Sequence, residues 1–224
     1  MRSIQMVDLA NQYERLKPEI DAAMNDVIVR SQFIQGEAVR QFEQNLAENL
    51  AVPFVWGCGN GTDALQMAFM ALELNPGDEV IVPSFNYIAA AEAAALMGLK
   101  PVFVDVDEQS FCIDPISARN AITTNTKAIV AVHLFGQCAP MEELLDLAKA
   151  HQLFVIEDTA QAIGAQYTFS DGRSRYAGTM GDVGTLSFFP SKNLGCYGDG
   201  GSVLTRSETL AERLKMIRNH GQKV

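Results

Sequence analysis

Short apolar runs alternate with segments of helical spacing along most of this chain. Runs at 54–57, 79–83, 101–105, 128–133, 153–157, 183–189 and 200–205 predict seven strands, and 62–74, 87–98, 115–122 and 141–150 predict the helices between them. Val80-Ile81-Val82 and Phe154-Val155-Ile156 carry no polar position, as expected of strands covered on both faces. The alternation implies an α/β fold with a largely parallel sheet and right-handed crossovers. No helix separates the last two runs, which leaves room for one antiparallel strand. Upstream, an arm and helix to about residue 31 place Ile20, Met24, Val27 and Ile28 on one stripe. A second helix after Gly36 does the same with Val39, Phe42, Leu46 and Leu50. Both stripes are expected to pack into a core. With no internal repeat, linker or low-complexity tract, one domain is the simplest count.

Ligands of such sheets bind beyond the carboxyl ends of the strands, which selects 57–62, 83–87, 105–107, 133–137, 158–161 and 187–192. Gly57-Cys58-Gly59-Asn60-Gly61-Thr62-Asp63 joins a strand to a helix. Its glycines and the free N–H groups of the helix start suit a phosphate; a tight turn with Thr62 or Asp63 as N-cap is the plainer alternative. Asp158 ends a strand, where it either meets a cation such as a protonated pyridine nitrogen or caps the next turn. Gln161 reaches the same place if the chain turns helically. Tyr87 can stack on a flat ring or pack in the core, where Phe85 is expected. His133 is either a site residue or a satisfied buried histidine. Lys192 lies in Ser187-Phe188-Phe189-Pro190-Ser191-Lys192. It is either a surface lysine or, walled by Phe188, Phe189 and Pro190, an amine partly stripped of water and so available as a nucleophile for a Schiff base.

Charge and cysteine content narrow the classes. A net charge of −10 over 224 residues provides no basic surplus for nucleic acid. The four scattered cysteines form no Cys-x-x-Cys pair and indicate neither zinc nor disulfides, as expected of a cytoplasmic protein. No signal peptide is visible, and the Ala-rich run at 88–99 is too short to span a membrane. Gly195 to Ser202 has the outline of a P-loop, but Gly201 stands where the lysine is required, which excludes an NTPase reading. A phosphate cradle, a stacking ring, an acid for a pyridinium and a masked lysine together specify pyridoxal 5'-phosphate.

Four stretches carry a resemblance: Gly59-Asn60-Gly61-Thr62-Asp63-Ala64-Leu65, Gly77-Asp78-Glu79-Val80-Ile81-Val82-Pro83, Glu157-Asp158-Thr159-Ala160-Gln161-Ala162, and Ser187-Phe188-Phe189-Pro190-Ser191-Lys192-Asn193-Leu194-Gly195. They closely resemble the DegT/DnrJ/EryC1/StrS nucleotide-sugar aminotransferases, over roughly residues 7–220. The resemblance implies a type I, aspartate-aminotransferase-like large domain built on a mixed seven-stranded sheet. It implies that Lys192 is the catalytic lysine and covalent cofactor link, that Asp158 keeps the pyridine nitrogen protonated, and that Gln161 contacts the ring's other polar edge. Gly61, Thr62 and Ser187 would hold the phosphate and Tyr87 would stack on the ring. The implied reaction moves an amino group from an amino acid, typically glutamate, to a nucleotide-linked keto sugar, at C3 of a UDP- or dTDP-linked substrate. A sugar dehydratase using the same cofactor is the alternative, although that branch replaces the lysine by histidine; a non-catalytic binding or sensory member is another. Family members are longer and form homodimers with shared sites. On that basis residues 1–224 correspond to the large domain, with an N-terminal arm at about 1–30 and a small C-terminal domain missing, and the chain alone is expected to bind cofactor weakly.

Overall fold

A computed structural model describes residues 4–223; the first three residues of the expected arm and the last residue lie outside the described residues. Two compact units divide at Leu46. In the first, α1 (Leu9–Arg30) starts at Asp8, whose carboxylate accepts the Asn11 N–H at 3.1 Å, and most of α2 (Glu37–Asn49) follows. The predicted stripe on α1 forms no core: Ile20 and Val27 are half-buried, while Met24 and Ile28 are exposed. An amphipathic stripe is buried only where an opposing apolar face covers it, and α1 contains no buried residue. The stripe on α2 fares better, with Leu46 and Leu50 buried and Val39 half-buried, although Phe42 is exposed.

The second unit holds a seven-stranded sheet. Its strands are β1 (Phe54–Cys58), β2 (Glu79–Pro83), β3 (Lys100–Val104), β4 (Thr126–Val132), β5 (Phe154–Asp158), β8 (Val183–Ser187) and β9 (Gly201–Thr205), in the order β1-β9-β8-β5-β4-β2-β3. All seven predicted runs are strands, with ends shifted by a few residues. The only antiparallel member is β9, paired with β1 and β8, so one of the last two runs reverses as the sequence allowed. The other strands run parallel, with α3 (Gly61–Ala71), α4 (Ala89–Leu96), α5 (Pro115–Asn120) and α6 (Met141–His151) in the crossovers. Val80, Ile81 and Val82 are wholly buried, as are Val155 and Ile156, but Phe154 at the start of β5 is 37 % exposed. Each fully buried Val, Leu, Ile or Phe of this core contributes about 1.5–3 kcal/mol of transfer free energy.

Two elements were not predicted. A hairpin of β6 (Gln166–Thr168) and β7 (Ser174–Tyr176) has strands too short for a period to register. The helix α7 (Glu208–Arg218) is capped by Ser207, whose hydroxyl accepts the Leu210 N–H at 3.3 Å, and buries Leu210, Ala211 and Leu214. Because β1, β2, β4, β5 and β8 all point one way, their carboxyl ends share one edge of the sheet. The antiparallel β9 begins at that same edge, which is how Gly201 comes to face the start of α3.

Candidate functional site

At that edge lies a cavity of about 490 Å³, within the range of small-molecule sites. Gly61, Thr62, Tyr87, Asp158, Gln161, Ser187 and Lys192 all line it, as does His133. One wall is the start of α3. Asn60 is the N-cap: its backbone is extended and its side-chain oxygen accepts the Asp63 N–H at 2.8 Å. This corrects the expectation that Thr62 or Asp63 caps the helix, since both already have helical backbone. The Asn60 carbonyl accepts the Ala64 N–H at 3.0 Å. Among the described residues, the N–H groups of Gly61 and Thr62 then have no acceptor, and they border the cavity at the positive end of the helix. Glycine is needed here for close approach. A Cβ on Gly61 would sit 2.7 Å from Ser187 Cβ, and one on Gly201 would sit 2.3 Å from the Asn60 carbonyl oxygen. Those contacts bring the Ser187 hydroxyl beside the free N–H groups.

The floor comes from β5. Asp158 Oδ1 accepts the Ala160 N–H at 3.1 Å, so the carboxylate does cap the following turn. Its Oδ2 has no donor among the described residues, and the group lines the cavity. Burial pushes this carboxyl above the ordinary aspartate range; the Ala160 N–H and the positive charge of Lys192 pull the other way. Capping and cavity readings therefore coexist, one oxygen each. The neighbouring Glu157 faces the opposite side of the strand, as alternation requires, and is wholly buried. There it meets His133, with Nε2 and Oε2 2.8 Å apart. His133 is thus a satisfied buried histidine that also borders the cavity. Gln161 reaches the site as expected, its Oε1 accepting the Phe135 N–H at 2.8 Å.

The Lys192 loop is held by three backbone bonds of 2.8 Å: Phe188 N–H to Gly200 O, Lys192 N–H to Phe189 O, and Cys196 N–H to Phe188 O. Lys192 is half-buried and, among the described residues, is the only lysine or arginine lining the cavity. Of its expected apolar wall, Phe188 is buried, Pro190 is half-buried and Phe189 is 54 % exposed. Tyr87 is exposed at the mouth and is not part of the core. Phe85 is likewise exposed rather than core, because it follows β2 into the loop, where it packs at a tilt on Phe111, 5.5 Å between centroids. Cys58, behind the α3 wall, is pushed up to about 12 by burial and by the Asp63 charge, which keeps it a protonated thiol. Among the described residues no cluster of three or more His, Cys, Asp or Glu is placed to hold a metal ion, and no helix is long and apolar enough to cross a membrane.

The sequence profile of the DegT/DnrJ/EryC1/StrS aminotransferase family matches residues 14–224. A pleiotropic regulatory protein of Geobacillus stearothermophilus is 47 % identical over 221 residues, covering 99 % of this chain and 58 % of that protein. The UDP-2-acetamido-2-deoxy-3-oxo-D-glucuronate aminotransferase of Pseudomonas aeruginosa is 44 % identical over 219 residues, covering 98 % and 60 %. The crystal structure of DesV from S. venezuelae, in complex with a ketimine intermediate, superposes with a TM-score of 0.94 at 42 % identity, covering 100 % of this chain and 59 % of that one. The chain therefore spans about three fifths of the length of these relatives. Such coverage of this chain, at such identity, shows that it belongs to the DegT/DnrJ/EryC1/StrS aminotransferase family.

Proposed function

We propose that this chain is the cofactor-binding large domain, with an N-terminal arm at about 1–30, of a pyridoxal 5'-phosphate-dependent aminotransferase. The whole enzyme moves an amino group from an amino acid, with glutamate as the donor to test first, to C3 of a UDP- or dTDP-linked 3-keto sugar. It works in amino-sugar synthesis in the cytoplasm as a homodimer with shared sites. The observation that carries the reading is the pairing, in one cavity, of an underbonded, half-buried Asp158 with a half-buried Lys192. The name of the P. aeruginosa relative and the ketimine held by the S. venezuelae protein support it.

The residues present fit this cofactor. Its phosphate matches the unpaired N–H groups of Gly61 and Thr62 and the adjacent Ser187 hydroxyl, in a gap that a Cβ at position 61 would fill. Bound there, the cofactor supplies an electron sink for the carbon that loses or gains the amino group. Asp158 would offer its free Oδ2 to the pyridinium N–H, a charge partner for a carboxylate that is partly withdrawn from water. Gln161 offers its amide to the ring's other polar edge. Tyr87 would cover a ring face at the mouth. Lys192, which lines the same cavity, would hold the cofactor through its Nζ and would serve as the general base and acid for proton movement at the reacting carbon.

The test is spectroscopic. The full-length protein with pyridoxal phosphate should show a visible band that glutamate converts to that of the pyridoxamine form. Lys192→Ala should abolish the band and lower kcat/KM by about 10²–10⁴-fold, the contribution of a positioned acid–base group. A full-length protein with no band, or a Lys192→Ala protein that keeps it, would overturn the assignment. A non-catalytic regulatory reading is favoured by the name of the G. stearothermophilus relative. Cofactor binding with no conversion by any amino donor would select it.

A further inference from the structure

We propose that the buried Glu157–His133 pair is a positioning device that sets Asp158 and Gln161 at a fixed geometry toward the cofactor ring. The inference rests on the pyridoxal phosphate reading above. Both side chains are wholly buried on the side of β5 opposite Asp158. Glu157 faces four donors. Its Oε1 accepts the N–H groups of Met180 and Gly181 at 2.6 Å each, and its Oε2 accepts the Gly178 N–H at 2.8 Å and faces His133 Nε2 at 2.8 Å. The Ala139 N–H donates to His133 Nδ1 at 3.0 Å. That bond needs the Nδ1 lone pair, so the ring hydrogen sits on Nε2 and is donated to Glu157.

The same residues are joined to the site by backbone. The His133 N–H donates to the Asp158 carbonyl at 3.0 Å. Between His133 and Ala139 the chain passes through Phe135 in the left-handed region, φ 56°, and it is the Phe135 N–H that bonds Gln161 Oε1. Glu157 thus ties the loop after β4, the end of β5 and the loop before β8 into one unit at the sheet edge that carries the cavity. The two polar groups meant for the ring, Asp158 and Gln161, hang from that unit.

The network leaves no alternative arrangement for a neutral mimic. In Glu157→Gln the amide hydrogens face either Met180 and Gly181 or Gly178 and His133, donors in both cases. Moving the histidine hydrogen to Nδ1 relieves the second clash only by setting it against the Ala139 N–H. His133→Gln keeps a donor to Glu157, whereas His133→Phe keeps the ring shape and neither bond.

The experiment uses full-length protein and pyridoxal phosphate as the probe. It reads dissociation constant, the visible band of the bound cofactor, and the rise in melting temperature on saturation. Glu157→Gln and His133→Phe should bind about 10-fold more weakly or worse, the low end for residues that orient ligand-binding groups. Their band should shift toward that of Asp158→Asn and their cofactor-induced stabilisation should shrink, with His133→Gln intermediate. A merely structural role would lower the melting temperature of the cofactor-free protein and leave affinity, band and cofactor-induced rise at wild-type values. That result overturns the proposal. If Glu157→Gln does not fold, the two His133 variants decide between the same outcomes. If the wild type itself shows no band, the functional reading fails instead, which keeps the two failures distinct.

Discussion

Gly201→Ala tests the junction that shapes the anion cradle. The new Cβ would lie 2.3 Å from the Asn60 carbonyl oxygen, 2.4 Å from its carbon and 2.9 Å from the Gly61 nitrogen. All three are backbone atoms at the start of α3, so no side chain can rotate away. Ordinary carbon–oxygen contact begins near 3.2 Å, so the helix start and β9 must part by about 0.9 Å. Overpacking of this kind costs about 1–3 kcal/mol, and a rigid backbone places the site at the upper end. The backbone of Gly201 is not in the left-handed region, so alanine also gains about 0.4–1 kcal/mol by restricting the unfolded chain. The net loss is about 2 kcal/mol, which for a domain of this size lowers Tm by about 4–8 °C. The same displacement moves the Gly61 and Thr62 N–H groups, and a shift of about 1 Å in positioning groups can cost about 10²-fold. Urea unfolding measures the first effect, and titration with pyridoxal phosphate measures the second. A Gly201→Ala protein within 0.5 kcal/mol of wild type and with unchanged affinity would refute both the packing and the cradle.

Three further outcomes follow from the site. Asp158→Asn should stabilise the cofactor-free protein at neutral pH. Unfolded, this carboxyl titrates near 3.8 and folded it titrates higher, so the native state binds the extra proton. Its contribution to stability therefore falls as pH rises from 3.8 through the folded value, and a neutral amide removes that loss; urea midpoints of wild type and variant should diverge over this window and stay apart above it. Tyr87→Ala should weaken pyridoxal phosphate binding by the worth of a ring contact, about 0.5–1.5 kcal/mol. Tyr87→Phe should not, and fluorescence titration of both variants separates stacking from hydrogen bonding. Asn60→Ala should cost about 1 kcal/mol through loss of the cap to Asp63, read as a shift in the urea midpoint.

The sheet was legible because its strands obey local rules. Val80-Ile81-Val82 suits a doubly covered strand and forms one, and the missing helix between the last two runs left room for one of them to reverse, as β9 does. The α7 helix carries the same kind of signal, a Ser207 cap followed by Leu210, Ala211 and Leu214 at helical spacing, and could have been found. The hairpin of β6 and β7 could not, since three-residue strands do not display a period. The stripe on α1 predicted a helix correctly and its burial wrongly. Periodicity identifies the apolar face of a helix but not what lies against it, so Met24 and Ile28 could be placed on one face and still be exposed.

The site divides along the same line. Asp158, Gln161 and Lys192 could be singled out because strand ends and residue chemistry mark positions one at a time, and Ser187 through the family resemblance; the parallel sheet gathers all four at one cavity. What no single position announces is a partnership between them. Glu157 reads as a strand residue facing away, and His133 as one histidine among three; only the pairing of β4 with β5 sets them 2.8 Å apart. The need for Gly201 was hidden for the same reason. In sequence it appeared only as the glycine that spoils a P-loop. In the fold it meets the Asn60 carbonyl, a residue 141 positions earlier in the chain, because β9 alone runs backwards and so begins where α3 begins. Residues that touch a ligand are chosen for their own chemistry and can be recognised from it. Those that hold such residues in place are chosen for a distance to something else, and that distance exists only once the chain has folded.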